Sequence, residues 1–167
     1  IPPWRKDLMS SLCGALRLTA NPPSRGTGWK FGGAKIYGMS RKVSAAEERR
    51  ISEILARLRE RLSKVVVGDP ALEKVRMGAL ASHAQRADLA ARVAELAAGS
   101  EIVFGAADGF APQGEGVAEG AFFPPTLLLC RDPARHPAVH DVEAFGPVST
   151  LMPYGDLDEA LALAARG

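Results

Sequence analysis

Glu143-Ala144-Phe145-Gly146-Pro147-Val148 sets a carboxylate and an aromatic ring two residues apart, just ahead of a Gly-Pro turn that leads into a β-type run. Loops of open α/β sheets carry ligand contacts at such places. The plainer alternative is a capped turn with a buried phenylalanine. Backbone N–H groups at Gly26-Thr27-Gly28 or Gly32-Gly33-Ala34-Lys35 could cradle a phosphate, but no strand precedes them and no strong helix follows. They read as loops. Cys13 is a conceivable nucleophile, yet Ser11-Leu12-Cys13-Gly14 supplies no His, Asp or helix start that would stabilise a thiolate. It reads as a passive thiol. His136 and His140 have the spacing of two ligands on one helical face, but Pro137 lies between them and no third ligand is apparent, so no metal site is expected. Trp4, Trp29, Phe31 and Tyr37, set among Lys and Arg, could stack on bases and pair with phosphates. Solvated positive charge is the ordinary explanation for such scattered Lys and Arg.

Local signals place these candidates on definite elements. Ser44-Ala45-Ala46-Glu47 has the spacing of a capping box, and Ile51, Ile54, Leu55, Leu58 and Leu62 follow at helical intervals with charged residues mostly opposite. A helix is predicted from Ser44 to about Lys64, ended by Gly68-Asp69-Pro70. Ser82-His83-Ala84-Gln85 repeats the capping spacing, with Leu89, Val93, Leu96 and Ala97 along one stripe and Gly99 as a left-handed stop. Glu101 to Gly105 reads as a short strand, and residues 108–120 as an exposed glycine-rich loop. Phe122 to Leu129 reads as an extended segment entered through a proline pair, and Val148 to Met152 as another strand. A last helix opens at Asp156, with Leu157, Ala160, Leu161 and Ala164 predicted on its inner face. Helices alternating with strands indicate an α/β layer structure.

The chain has 167 residues, 47% apolar and 24% charged, with net charge +2, which suits a globular domain able to build a core without metal or disulfide staples. Its two cysteines, Cys13 and Cys130, give no reason to expect an oxidising compartment, and a cytoplasmic setting is the default. No apolar run is long enough to span a bilayer, and Ile1-Pro2-Pro3-Trp4-Arg5-Lys6 lacks the apolar core of a signal peptide. Starting at Ile1 rather than Met, the chain is expected to be a piece of something longer. Charge divides it at Val43: Arg5, Lys6, Arg17, Arg25, Lys30, Lys35, Arg41 and Lys42 face Asp7 alone upstream, and acids predominate downstream. Residues 1–42, rich in Gly and Pro, are expected to form a poorly ordered basic arm.

Read in order, Val67-Gly68-Asp69-Pro70, Met77-Gly78-Ala79-Leu80, Phe123-Pro124-Pro125-Thr126-Leu127 and Glu143-Ala144-Phe145-Gly146-Pro147-Val148 resemble motifs of the aldehyde dehydrogenase superfamily that follow its catalytic cysteine. The likeness covers residues 43–167. Val75-Arg76-Met77-Gly78-Ala79-Leu80-Ala81-Ser82, Gly120-Ala121-Phe122-Phe123-Pro124-Pro125 and Ala138-Val139-His140 are similar to one branch, which pairs the dehydrogenase with an oxepin-CoA hydrolase in phenylacetate degradation. The resemblance implies the later part of a catalytic domain, α/β, with helices packed on a mostly parallel sheet. It also implies oxidation of a CoA-linked semialdehyde to its acid with NADP or NAD as hydride acceptor, in a homo-oligomer. In that family a cysteine thiolate attacks the aldehyde and a glutamate-activated water releases the acid. Glu143 matches the glutamate that holds the nicotinamide ribose hydroxyls, and Phe145 the aromatic against the nicotinamide. The family often has two consecutive glutamates here, whereas this chain has Val142 before Glu143.

The nucleophile motif Gly-Gln-x-Cys should fall near Gly38 and Met39, and Tyr37-Gly38-Met39-Ser40-Arg41 contains no cysteine. No catalytic residue is therefore assigned, and the chain alone is expected to be inactive. With cover missing, the apolar faces of Ile51 to Leu62 and Leu127 to Leu129 are expected to promote association. The rival reading is a noncatalytic α/β module whose basic arm binds nucleic acid or an acidic partner. Neither a membrane nor nucleic acid is the expected partner under the first reading.

Overall fold

The computed structural model describes residues 43–105 and 110–166. The basic arm, Cys13, both upstream glycine runs and the Asp108-Gly109 end of the glycine-rich loop lie outside the described residues. Helix α1 (Ala45–Leu62) begins as its sequence dictates: the Ser44 hydroxyl accepts from the Glu47 N–H at 3.3 Å, and the Glu47 carboxylate accepts from the Ser44 N–H at 2.8 Å. Each side chain satisfies an N–H that the helix leaves without an internal partner. Ser44→Ala is expected to cost about 1 kcal/mol, checked by urea unfolding; an unchanged midpoint would show that the box does not stabilise the helix. Glu47 and Glu48 in the first turn and Arg59 and Arg61 in the last complement the helix dipole.

Helix α2 (His83–Ala97) follows, then β1 (Glu101–Phe104), a short 3₁₀ turn (Val117–Glu119), β2 (Thr126–Leu129), a one-turn helix α3 (Ala138–Asp141), β3 (Val148–Leu151) and α4 (Leu157–Ala164). The sheet has the order β1-β2-β3, with β1 antiparallel and β3 parallel to β2. One of the two pairings is thus antiparallel, and the described sheet is mixed where a mostly parallel one was expected. Central strand β2 is buried at every position, as a strand covered on both faces must be. Leu127 and Leu129 pack with Val103 against Ile51 and Leu55 of α1, with Leu58 and Leu62 at the margin. Arg59 fixes α1 over the sheet by donating from Nε to the Val103 carbonyl at 2.7 Å, and Arg131 pairs with Glu48 at the other end. The faces predicted to lack cover therefore cover each other.

Two further expectations are corrected. Gly99 is not among the glycines of positive φ; Ala98 caps α2 in right-handed geometry, and a side chain at Gly99 would meet the His136 ring at 2.5 Å. Close packing, not handedness, requires that glycine. On α4, Leu157 and Leu161 are 70% and 60% exposed, and the more sheltered side carries Glu159, Ala160 and Leu163. Its apolar stripe is real, but no described element lies over it. The glycine-rich loop is exposed through residues 113–116, yet Gln113 is pinned to Gly68 by an isolated bridge. Among the described residues, no helix is long and apolar enough to cross a membrane.

Candidate functional site

The segment from Val142 to β3 is held from below by α2 and β2. Ala144 and Val148 pack against the cluster of Leu89, Val93 and Phe123, and Gly146 lies so close to Leu89 that any side chain there would overlap it. The Pro147 carbonyl accepts from the Thr126 N–H at 2.8 Å, which ties the turn to the first residue of β2. Exposure alternates along this stretch: Ala144 is half-buried, whereas Glu143 and Phe145 are exposed. Glu143 and Phe145, two residues apart, are therefore both open to solvent, away from the core.

Phe145 is 64% exposed, so the alternative of a turn that buries its phenylalanine is excluded. Ala144 and Gly146 are the residues that meet α2, and they leave the ring outside. Among the described residues, Glu143 has no hydrogen-bond or ion-pair partner. An unpaired carboxylate beside an open aromatic face can accept from two hydroxyls while a flat ring stacks alongside.

Gln85 shows what local spacing conceals. Ser82 caps α2 by accepting from the Gln85 N–H at 3.1 Å, as predicted, but the Gln85 side chain does not return to Ser82. Its oxygen accepts from the Ala81 N–H at 3.0 Å, and its amide donates to the Phe145 carbonyl at 3.1 Å. No sequence signal relates Gln85 to Phe145, because the contact arises only when the turn packs on α2. The two histidines have separate duties: His136 packs over Gly99, and the His140 ring lies 3.2 Å from the Pro133 carbonyl. Cys130, at the end of β2, is fully buried and donates its N–H to the Leu151 carbonyl.

Residues 30–166 match the aldehyde dehydrogenase family, a span that begins inside the stretch set apart by its charge. Protein MaoC of Klebsiella aerogenes is 51% identical over 92 residues, covering 54% of this chain and 26% of that protein. The 3,4-dehydroadipyl-CoA semialdehyde dehydrogenase of Aromatoleum evansii is 46% identical over 109 residues, covering 64% of this chain and 21% of that enzyme. The chain thus spans about a quarter of the length of these relatives. Among solved structures, a Mycobacterium tuberculosis aldehyde dehydrogenase complexed with NAD+ superposes with a TM-score of 0.58 at 29% identity, covering 70% of this chain and 23% of that one. A Pseudomonas syringae aldehyde dehydrogenase holding NAD+ and octanal gives 0.57 at 31% identity, covering 71% and 23%. With four ordered motifs, an α/β core that superposes on these enzymes and a family match over most of its length, the chain belongs to the aldehyde dehydrogenase family.

Proposed function

We propose that this chain is the part of an NAD(P)-dependent aldehyde dehydrogenase that grips the nicotinamide end of the cofactor, in an enzyme that oxidises a CoA-linked semialdehyde in phenylacetate catabolism. The observation that carries the reading is the paired presentation of Glu143 and Phe145 on one clamped segment, both exposed and Glu143 unpaired among the described residues. These are the groups a nicotinamide riboside needs. A carboxylate accepts from two neighbouring ribose hydroxyls at once, and the open Phe145 ring offers a flat apolar surface that keeps water from one face of the nicotinamide. When bound, the nicotinamide supplies the hydride acceptor. The similarity to a CoA-semialdehyde dehydrogenase supports the substrate class.

The chain by itself does not turn over aldehyde in this reading. Cys130 is fully buried, and Cys13 stands in Ser11-Leu12-Cys13-Gly14, without the family's nucleophile motif. Titration of the purified chain with NADPH and NADH, followed by the fluorescence of the reduced nicotinamide, is expected to show weak binding. Glu143→Ala should weaken it about tenfold or more, since hydrogen bonds to a charged group are lost. Equal affinities for the chain and for Glu143→Ala would refute the site, and NADPH production from an added aldehyde would refute the inactivity.

A further inference from the structure

We infer that Gln85 is the positioning residue of the Glu143 and Phe145 pair: its side-chain amide sets the course of segment 143–147 and thereby the affinity for the nicotinamide riboside. The inference rests on the cofactor reading above and goes beyond it by assigning a residue on a different element, which touches the segment only through its backbone. Three observations meet at this point. The Gln85 amide is itself fixed, because its oxygen accepts from the Ala81 N–H and its nitrogen is thereby aimed at the Phe145 carbonyl. One helical turn along α2, Leu89 meets Gly146, so α2 grips two consecutive residues of the segment, the first by a polar contact and the second by an apolar one. The carbonyl that Gln85 holds belongs to Phe145, whose ring stays outside. Fixing that peptide fixes the direction in which the ring leaves the backbone, two residues from Glu143.

Gln85→Glu separates the two duties of the side chain. A carboxylate still accepts from the Ala81 N–H and suits the first turn of a helix, but it cannot donate to the Phe145 carbonyl and faces it with like charge. The melting temperature should therefore hold, while affinity for nicotinamide mononucleotide falls about threefold to tenfold, the worth of one hydrogen bond. Amide shifts in Gln85→Glu should be confined to residues 143–147, Gly146 among them, whereas a merely structural defect would spread them through the chain and lower the melting temperature. In the unmodified isotope-labelled chain, nuclear magnetic resonance should show a coupling across the hydrogen bond from the Gln85 side-chain nitrogen to the Phe145 carbonyl carbon. That measurement needs no variant. In a Glu143→Gln background, Gln85→Glu should add little, because both act on one contact. No coupling, or an unshifted Gly146 amide and unchanged nucleotide affinity in Gln85→Glu, overturns the positioning role. If Glu143→Gln alone leaves nucleotide binding intact while the coupling is present, it is the cofactor reading that fails.

Discussion

Leu89→Ala is expected to destabilise the chain by about 2–5 kcal/mol, in the range of large-to-small changes at fully buried sites. Leu89 has no exposed surface, and its neighbours come from four parts of the sequence: Val93 on its own helix, Phe123 before β2, Leu80 before α2, and Ala144 with Val148 around the candidate site. Such a mixed lining cannot collapse to fill the space without moving the site segment, which Gly146 brings into contact with the Leu89 side chain. Thermal unfolding should show a Tm lowered by roughly 10 °C, given the usual slope for a domain of this size. Leu89→Met, which keeps the volume, should cost under about 1.5 kcal/mol. Nucleotide affinity should fall with Leu89→Ala and persist with Leu89→Met, because α2 is the surface on which segment 143–147 rests. A Leu89→Ala chain within about 1 kcal/mol of the parent would mean that the cluster is looser than its burial implies.

The sequence displays this fold wherever a contact closes within a few residues. The Ser44 and Glu47 box and the Ser82 and Asp156 caps depend on neighbours three positions away, and each stands where its spacing puts it. Readings fail where the deciding partner is remote. Gly99 looks like a helix stop because glycine after a helix commonly is one, and only the His136 ring explains it. Leu157 and Leu161 form a correct apolar stripe, but periodicity says which residues share a face, not whether another element covers it. Pairing direction in the sheet is remote information of the same kind, since β-type runs look alike whichever way they are laid.

The site divides along the same line. Glu143 and Phe145 are legible because their chemistry and two-residue spacing lie in one short motif. Whether Phe145 points inward or outward is not, because Ala144 and Gly146 are accepted by α2 only through Leu89 and Gln85, far upstream. Gln85 carries a plausible local role as the third residue after a cap, and that role hides the longer one. A motif names the groups that meet a ligand, while the packing beneath it decides which way they face.

Gly68→Ala is expected to cost about 3–5 kcal/mol and to release the glycine-rich loop. Residues 66–69 run between two other stretches of backbone. On one side the Val66 carbonyl accepts from the Arg76 N–H at 2.8 Å and the Gly68 N–H donates to the Met77 carbonyl at 3.0 Å. On the other, Gln113 brackets Gly68, donating to the Val67 carbonyl at 2.9 Å and accepting from the Asp69 N–H at 2.8 Å. A methyl group at Gly68 would lie 2.6 Å from the Gln113 nitrogen and closer still to its oxygen. Backbone cannot swing aside like a side-chain tip, so the two bonds to Gln113 break, at about 1 kcal/mol each, and strain at the new alanine adds to them. Gly116 supplies the control: its φ is +67° but nothing lies near its missing side chain, so Gly116→Ala bears only the cost of the left-handed conformation, about 1–2 kcal/mol. Amide hydrogen exchange should show Asp69 and Gln113 losing protection in Gly68→Ala and keeping it in Gly116→Ala. Equal losses of stability in the two variants, with both amides still protected, would mean that the close approach at Gly68 is not what ties the loop to the Val67-Gly68-Asp69-Pro70 turn.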